Sequence, residues 1–340
     1  MATRNLIGID IGTKLIKAVQ MTEQNKELAI TEYAQVEVQS QESIPDAIKD
    51  ILSQKNFATK RVVTSVSGRF VIVRYISMSN MGEEEMRNAA KYELGKYIPF
   101  EVDEVLHDCQ KLSAPAAEGA AAEEMRVLLV AAKRTFIDEH TALIESAGLI
   151  PTIIDVDSFA LGNADEMVGT VNPEAASADK IVALVDIGAT KTNINIMNGT
   201  TSFFTREFYK GGDDITDAIS KKLSLEVKEA EMMKRSPGGE VHKVTESISG
   251  VIDDICQDVN ISIDFFENQY DKKVEDVLLT GGSSNAVGIP EAIERTTGKK
   301  VLKWNAADYI KQDLDRLSKE ELERNASVAT IAIGLASRIR

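Results

Sequence analysis

Apolar and polar positions alternate in short runs near the start of the chain and then shift to a helical period. From Leu6 the strand-like runs "LIGID", "LIKAVQM" and "ELAITEYAQVEV" follow one another, the first two joined by the tight turn "IGTK". Ile44, Ile48, Ile51 and Leu52 then fall on one face of a helix. From Ile181 the same order returns: "IVALVD", the turn "IGATK", "TNINIM", "TSFFTREFY", and a helix from Asp213 with Ile215, Ile219 and Leu223 on one face. Two β-β-β-α units in one chain predict an internal duplication and an α/β fold of two lobes.

The segment between the units has a different pattern. A helix "EEEMRNAAKYELGKY" is expected from apolar Met86, Ala90 and Leu94, then a strand "EVLHDCQKL", an Ala/Glu-rich loop at 113–124 of low complexity and expected mobility, and a strand "RVLLVAAK". A helix "TFIDEHTALIESAG" closes at Gly148, a C-cap residue, and the strand "PTIIDV" leads into "DSFALGNAD". The pattern divides the chain into four parts. Residues 1–79 begin the first lobe, 80–133 form a small inserted α+β subdomain, 134–170 complete the first lobe, and 171–340 form the second lobe, whose final helix packs back on the first. In the second lobe, apolar positions at 248, 252, 255, 259 and 263 predict one long helix or two short ones over Val241–Tyr270, followed by a buried strand "VEDVLLT", a helix from Gly288 and the strand "KVLKW". The closing helix "ASVATIAIGLAS" is rich in small apolar residues, which suits tight packing.

Composition narrows the function. At 340 residues and 43% hydrophobic content the chain can bury substantial cores. A formal net charge of −15 opposes a surface that tracks nucleic-acid phosphates, so nucleic acid is not an expected partner. Cys109 and Cys256 are too few for a disulfide framework and read as buried structural thiols; His107, His140 and His242 are too scattered for a metal cluster. No basic-then-apolar leader precedes "LIGID", and the longest uncharged stretch, 326–337, is too short to cross a bilayer, so a soluble cytosolic protein is expected.

The two turns carry the candidate chemistry. A strand–turn–strand exposes backbone N–H groups, and Gly12 and Gly188 let the main chain approach a ligand closely. Lys17 could supply counter-charge to phosphate, Thr13 and Thr190 supply hydroxyls, and Asp10 and Asp186 are oxygen donors suited to Mg²⁺ through water. Either turn alone also reads as an ordinary tight hairpin, since Asp and Gly are common turn formers; their recurrence within matching units favours phosphate binding. "LLTGGSSNAVGI" places Gly281 and Gly282 after a buried strand, where a flat base could lie or where the chain simply turns. "YKGGDDIT" puts Gly211 and Gly212 before a helix whose Asp213 and Asp214 are also plain capping acids. Glu231 and Lys234 share one face of "LEVKEAEMMKRS", as many solvated surface pairs do. Neither a P-loop nor a G-x-G-x-x-G fingerprint is present.

This order of motifs resembles the actin-like, sugar-kinase and heat-shock-chaperone ATPase superfamily, whose ribonuclease H-like lobes hold ATP and Mg²⁺ between them. By that resemblance "GIDIGTKLIKAV" is phosphate loop one (Asp10, Gly12, Thr13, Lys14, Lys17), "ALVDIGATKTNINI" phosphate loop two (Asp186, Gly188, Ala189, Thr190), and "LLTGGSSNAVGI" the adenosine loop (Gly281, Gly282, Ser283). "GGDDIT" (Gly211, Gly212) and "AEMMK" (Glu231, Lys234) correspond to segments bordering ribose and base in FtsA and its relatives. Within the superfamily, "YIPFEVDEV" and "AGLIPTIIDVDSFAL" resemble the PilM family, the actin-like cytoplasmic component of type IV pilus assembly, from residue 5 onward. The loop at 113–124, and Cys109 where an aromatic residue is expected, depart from its pattern.

The resemblance implies an ATP-binding scaffold, cytoplasmic and peripheral to the inner membrane. In a groove beside the inserted subdomain it would hold the N-terminal tail of a PilN-like bitopic membrane protein, touch other pilus assembly proteins, and leave a homo-oligomer open. Tyr97, Ile98, Pro99 and Phe100 are candidates to line the groove, with core packing the competing role. Hydrolysis would be slow or absent; Asp155 and Asp157 are the residues nearest by chain order to orient a water. A secretion-system actin-like component remains an alternative. So does an FtsA-like cell-division homologue, which should carry an amphipathic C-terminal anchor after a linker, whereas "SRIR" follows the closing helix directly. A metabolic kinase would need a catalytic aspartate in a substrate pocket, and no residue stands out for that role.

Overall fold

The computed structural model describes residues 3–112, 124–175, 180–313 and 317–339. The loop predicted to be mobile lies almost wholly outside them. In chain order the elements are β1 (Arg4–Ile11), β2 (Leu15–Gln24), β3 (Glu27–Glu37), α1 (Ile44–Gln54), β4 (Arg61–Val66), β5 (Val71–Ser79), α2 (Glu83–Glu93), β6 (Val105–Leu112), β7 (Glu124–Lys133), α3 (Arg134–Ser146), β8 (Ile150–Val156) and α4 (Asp157–Val171). They continue as β9 (Ile181–Ile187), β10 (Thr192–Asn198), β11 (Thr201–Phe208), α5 (Gly212–Leu223), α6 (Val227–Arg235), α7 (Val241–Tyr270), β12 (Asp276–Thr280), α8 (Ile289–Thr297), β13 (Lys300–Lys303) and α9 (Lys319–Ala336).

Contacts divide the chain into two compact units, one reaching to Ser65 and resuming at Leu149, the other Val66–Gly148. The larger holds two five-stranded sheets of matching order, β3-β2-β1-β4-β8 and β11-β10-β9-β12-β13. In each, the first strand of the repeat is central: β1 runs antiparallel to β2 and parallel to β4, and β9 runs antiparallel to β10 and parallel to β12. A parallel neighbour requires a crossover. The helix ending each β-β-β-α unit begins it: α1 before β4, and α5, with α6 and α7, before β12. Strands β4 and β5 were not among the elements expected from the pattern, and the ambiguity over residues 241–270 resolves as one 30-residue helix.

One apolar core joins both sheets through α4 and α9, with Leu6, Val63, Leu161, Leu184, Leu278 and Ile333 among its members. Two glycines set its closest approaches. A Cβ on Gly8 of β1 would collide with the Ala332 carbonyl and the Ala336 amide of α9, and one on Gly334 of α9 would collide with the Ala160 carbonyl of α4. The small-residue character of the closing helix thus has a steric cause. A second core, including Val185, Ile194, Ile219, Ile248 and Ile263, covers the other face of the second sheet.

The smaller unit is an antiparallel sheet of order β5-β7-β6 with α2 packed on it. Its sheet includes β5, and its contact boundary takes in α3; both lie outside the span 80–133 read from the sequence. Met86, Ala90, Leu94, Ile98, Cys109 and Leu129 form its core, and Tyr97 and Phe100 pack against that core while Pro99 is exposed. Of the four groove candidates, Ile98 is therefore a core residue and Tyr97 and Phe100 are half-buried against that core. Both cysteines are buried and free, and burial raises the pKa of each thiol, that of Cys256 to about 11.

Gly334→Ala should destabilise the protein by about 1–3 kcal/mol, because the clash falls on backbone rather than on a flexible side chain. Gly250→Ala, on α7 with open space around its Cβ, should instead stabilise by about 0.5–1 kcal/mol. Urea unfolding of the two variants checks the contrast; equal effects would remove the steric account.

Candidate functional site

The two predicted turns are built alike. In the first, Asp10 lies opposite Lys17, and the Gly12 N–H donates to the Leu15 carbonyl at 3.0 Å. In the second, Asp186 lies opposite Asn193, and the Gly188 N–H donates to the Lys191 carbonyl at 2.9 Å. Those two amides are spent in closing the turns, so an anion there would rely on the amides between them. The tips meet: Thr13 Oγ1 is 3.3 Å from Thr190 Oγ1, and Lys14 Nζ is 3.3 Å from Asp213 Oδ2.

Their chemistry differs at one position. Lys17 Nζ forms a buried ion pair with Asp10 Oδ2 at 2.6 Å, whereas the polar partner of Asp186 Oδ2 among the described residues is the Asn193 amide, at 3.5 Å. Burial, then the charge of Asp10, pushes the Asp186 carboxyl up to about 6 against the pull of Lys17. Burial also raises Asp10, opposed by Lys17 and reinforced by Asp157. Asp157, the first residue of α4, thus shares one electrostatic cluster with both turn aspartates. Lys191 Nζ donates to Asp157 Oδ2 at 2.7 Å and to Glu207 Oε2 at 3.0 Å. Asp155 is engaged elsewhere: it accepts from the Val156 N–H at 2.8 Å and Asn163 Nδ2 at 3.0 Å, with Arg338 at 3.9 Å.

The glycine turns abut the second hairpin. Gly281 has φ +94°, and a Cβ there would stand 2.5 Å from the Ile187 carbonyl and 2.6 Å from Asp186 Oδ1. A Cβ on Gly211 would stand 2.7 Å from the Ala189 carbonyl, and one on Gly282 would stand 3.0 Å from Val328 Cγ1. The Gly212 N–H and Ser283 Oγ donate to the Gly188 carbonyl at 2.9 and 2.8 Å, and the Asp213 N–H donates to that of Ala189 at 2.7 Å. Lys234 Nζ donates to the Gly212 carbonyl and to Thr216 Oγ1, both at 2.9 Å, and pairs with Glu231 Oε2 at 2.6 Å. Thr216 Oγ1 donates to the same Glu231 oxygen at 2.6 Å, and Arg235 Nε holds the other at 2.7 Å.

A connected set of contacts therefore brings together the turn residues, both glycine doublets, Ser283, Glu231, Lys234 and, of the two tentative catalytic aspartates, Asp157. Sequence reasoning passed over Lys191, Glu207, Asn193 and Thr216. The matching position of Lys17 and Asn193 in the two hairpins was the available signal for Asn193; nothing in spacing pointed to Glu207. Among the described residues no group of three or more His, Cys, Asp or Glu is arranged to hold a metal ion, and no helix is long and apolar enough to cross a membrane.

Residues 8–340 match the family described as type IV pilus assembly protein PilM. The chain belongs to the PilM family. A solved chain described as the PilM-PilN type IV pilus biogenesis complex is 26% identical, with 98% of each chain covered and a TM-score of 0.84. The ethanolamine utilization protein EutJ from Carboxydothermus hydrogenoformans is 14% identical, with 99% of this chain and 90% of that chain covered and a TM-score of 0.57. MreB 5 of Spiroplasma citri, solved bound to AMPPNP, is 12% identical, with 98% and 95% covered and a TM-score of 0.52. The latter two show that the PilM-family chain shares its actin-like α/β fold with proteins of distant sequence.

The Glu231 network yields a pH dependence. Burial alone would raise this carboxyl, but hydrogen bonds from Lys234, Thr216 and Arg235 hold it down to about 2. A depressed pKa stabilises the fold above the unfolded value, near 4.5, and that contribution is lost as pH falls toward 2. Glu231→Gln should cost about 1 kcal/mol at neutral pH, discounted for partial exposure, and should flatten the loss of stability on the acid side. Denaturant titrations from pH 7 to 2 check this; parallel curves for both proteins would contradict it.

Proposed function

We propose that this chain is a cytoplasmic ATP–Mg²⁺-binding scaffold of a type IV pilus inner-membrane complex that holds the N-terminal tail of a PilN-like membrane protein. The observation that carries the nucleotide reading is the pair of equivalent Asp-x-Gly hairpins whose tips meet at Thr13 and Thr190. The turns carry groups that a polyphosphate would use: Lys17, ion-paired with Asp10, as counter-charge, threonine hydroxyls, and the amides between those that close the turns. Asp10 and Asp186 suit Mg²⁺ through water, with phosphate oxygens completing the shell, in keeping with the lack of a protein-only metal cluster among the described residues. The Gly281–Gly282 turn and the Glu231–Lys234 pair would border the adenosine. Nucleotide in the MreB 5 structure, at similar fold, supports the assignment.

The partner reading is supported by PilM-family membership and by the 26%-identical solved structure, a PilM-PilN complex. The smaller unit offers a physical means. Among the described residues β6 pairs with β7 alone, so a short extended tail could gain main-chain hydrogen bonds along its edge, next to exposed Leu106. Anchorage through such a tail would place the protein at the inner membrane without a span of its own.

Calorimetry with Mg–ATP should show affinity lowered by about 1–3 kcal/mol in both Asp10→Ala and Asp186→Ala. Unchanged binding in both would refute the nucleotide assignment. A synthetic PilN-type tail peptide should bind at micromolar strength, about −8 kcal/mol, and shift amide resonances within β5, β6 and α2. Shifts confined to the larger unit would refute the tail assignment.

A further inference from the structure

Lys191 occupies the place in the second hairpin that Leu15 holds in the first, as the matching turn bonds show. An apolar residue serves one copy and a half-buried ammonium the other. Its two acceptors come from different elements: Asp157 opens α4, and Glu207 lies on β11 directly across from Asn193, the residue that bonds Asp186. The side chains of the three are 23%, 11% and 20% exposed. Burying one cation and two anions is tolerable only as a mutually paired set. Burial works against the Lys191 charge, yet the two carboxylates more than offset it and raise its pKa.

We propose that Lys191, braced by Glu207, is a positioning residue that restrains Asp157 from accepting a proton, so that the cleft retains its nucleotide instead of hydrolysing it. This rests on the ATP-binding reading above. In hydrolysis a water oxygen bonds to the γ-phosphorus while the bond to the bridging oxygen breaks. ADP departs with that electron pair, and the water's proton must pass to an acceptor and then to solvent. On this proposal the acceptor is Asp157, the first residue of α4, whose Oδ2 is held by the lysine that closes the second hairpin. With Oδ2 accepting from the Lys191 ammonium at 2.7 Å, that oxygen is fixed in orientation and already engaged by a donor. Glu207 on the far side keeps the ammonium from turning away.

The test is a charge-conserving pair, Lys191→Gln with Glu207→Gln, which removes one positive and one negative group and leaves Asp157 beside neutral amides. The double variant should bind fluorescent ATP as the wild type does and hydrolyse ATP about 10²-fold faster. Lys191→Arg should remain slow, and adding Asp157→Asn to the double variant should abolish the gain. In nucleotide-free protein the Lys191 ¹⁵Nζ resonance should be protected from exchange and should move on Asp157→Asn; this readout survives even if the double variant misfolds. Normal ATP binding without faster hydrolysis overturns the proposal, as does a gain that persists without Asp157 or an Nζ signal indifferent to Asp157→Asn. Loss of ATP binding in the double variant alone would make Lys191 a ligand contact and overturn it too. Wild-type protein that binds no ATP would instead remove the nucleotide reading itself.

Discussion

Backbone contact along α9 determines where the acidic cluster can form. The helix meets β1 at Gly8, two residues before Asp10, and meets α4 at Ala160, about one turn after Asp157. It also receives the Gly281 N–H on the Ser327 carbonyl, and Gly281 presses against Asp186. All three carboxylates are therefore spaced by one helix whose small residues allow main chain to touch main chain. A β-carbon at Gly8 would push α9 off β1, and one at Gly334 would push it off α4. Close packing transmits such shifts instead of absorbing them.

Charge distribution then gives the duplicated hairpins unequal roles. The chain carries a net charge of −15, so any attraction for a polyanion must come from local cations. Lys17 neutralises Asp10 within its own hairpin, whereas Asp186 has an amide for a neighbour and its carboxyl is held at about 6. A carboxyl raised above its unfolded value costs stability at neutral pH, and the cost disappears as pH falls through that value toward 4. A cation arriving near Asp186 would relieve the same strain without protonation. One of the two matching turns is thus self-compensated, and the other is left with an electrostatic deficit.

Much of this was legible in sequence because it rests on local periodicity. The β-β-β-α repeat, the turn glycines and the closing helix all depend on residues within a few positions of one another. Strands β4 and β5 escaped notice because each is defined by pairing with β1 or β7, far away in the chain, and not by a turn signal of its own. The Lys191 set was hidden for a similar reason: its acceptors lie 34 and 16 residues away, and a lysine after a turn is ordinary. Asp155 and Asp157 sit two residues apart on a strand-to-helix junction, and only the course of α4 sends one to Asn163 and the other to the cluster. Of the residues weighed between groove and core, Ile98 is buried in the core of the smaller unit and Tyr97 and Phe100 pack against it half-buried, a distinction that a motif, which carries no information about which side chain faces inward, does not make.

A nucleotide that is held and not consumed acts by mass action alone. A ligand that binds only the folded state stabilises it by about 4 kcal/mol at a thousandfold excess over its dissociation constant. That is a sizeable share of the roughly 5–15 kcal/mol that keeps a typical domain folded. On the proposed reading ATP would serve chiefly to fix the spacing of the hairpins. Any influence of ATP on tail binding must then be reciprocal, with the tail tightening ATP by the same factor, since linkage at equilibrium has no preferred direction. Hydrolysis would break that symmetry by making the bound state transient. On the proposed reading, a retained nucleotide would keep any such coupling reversible.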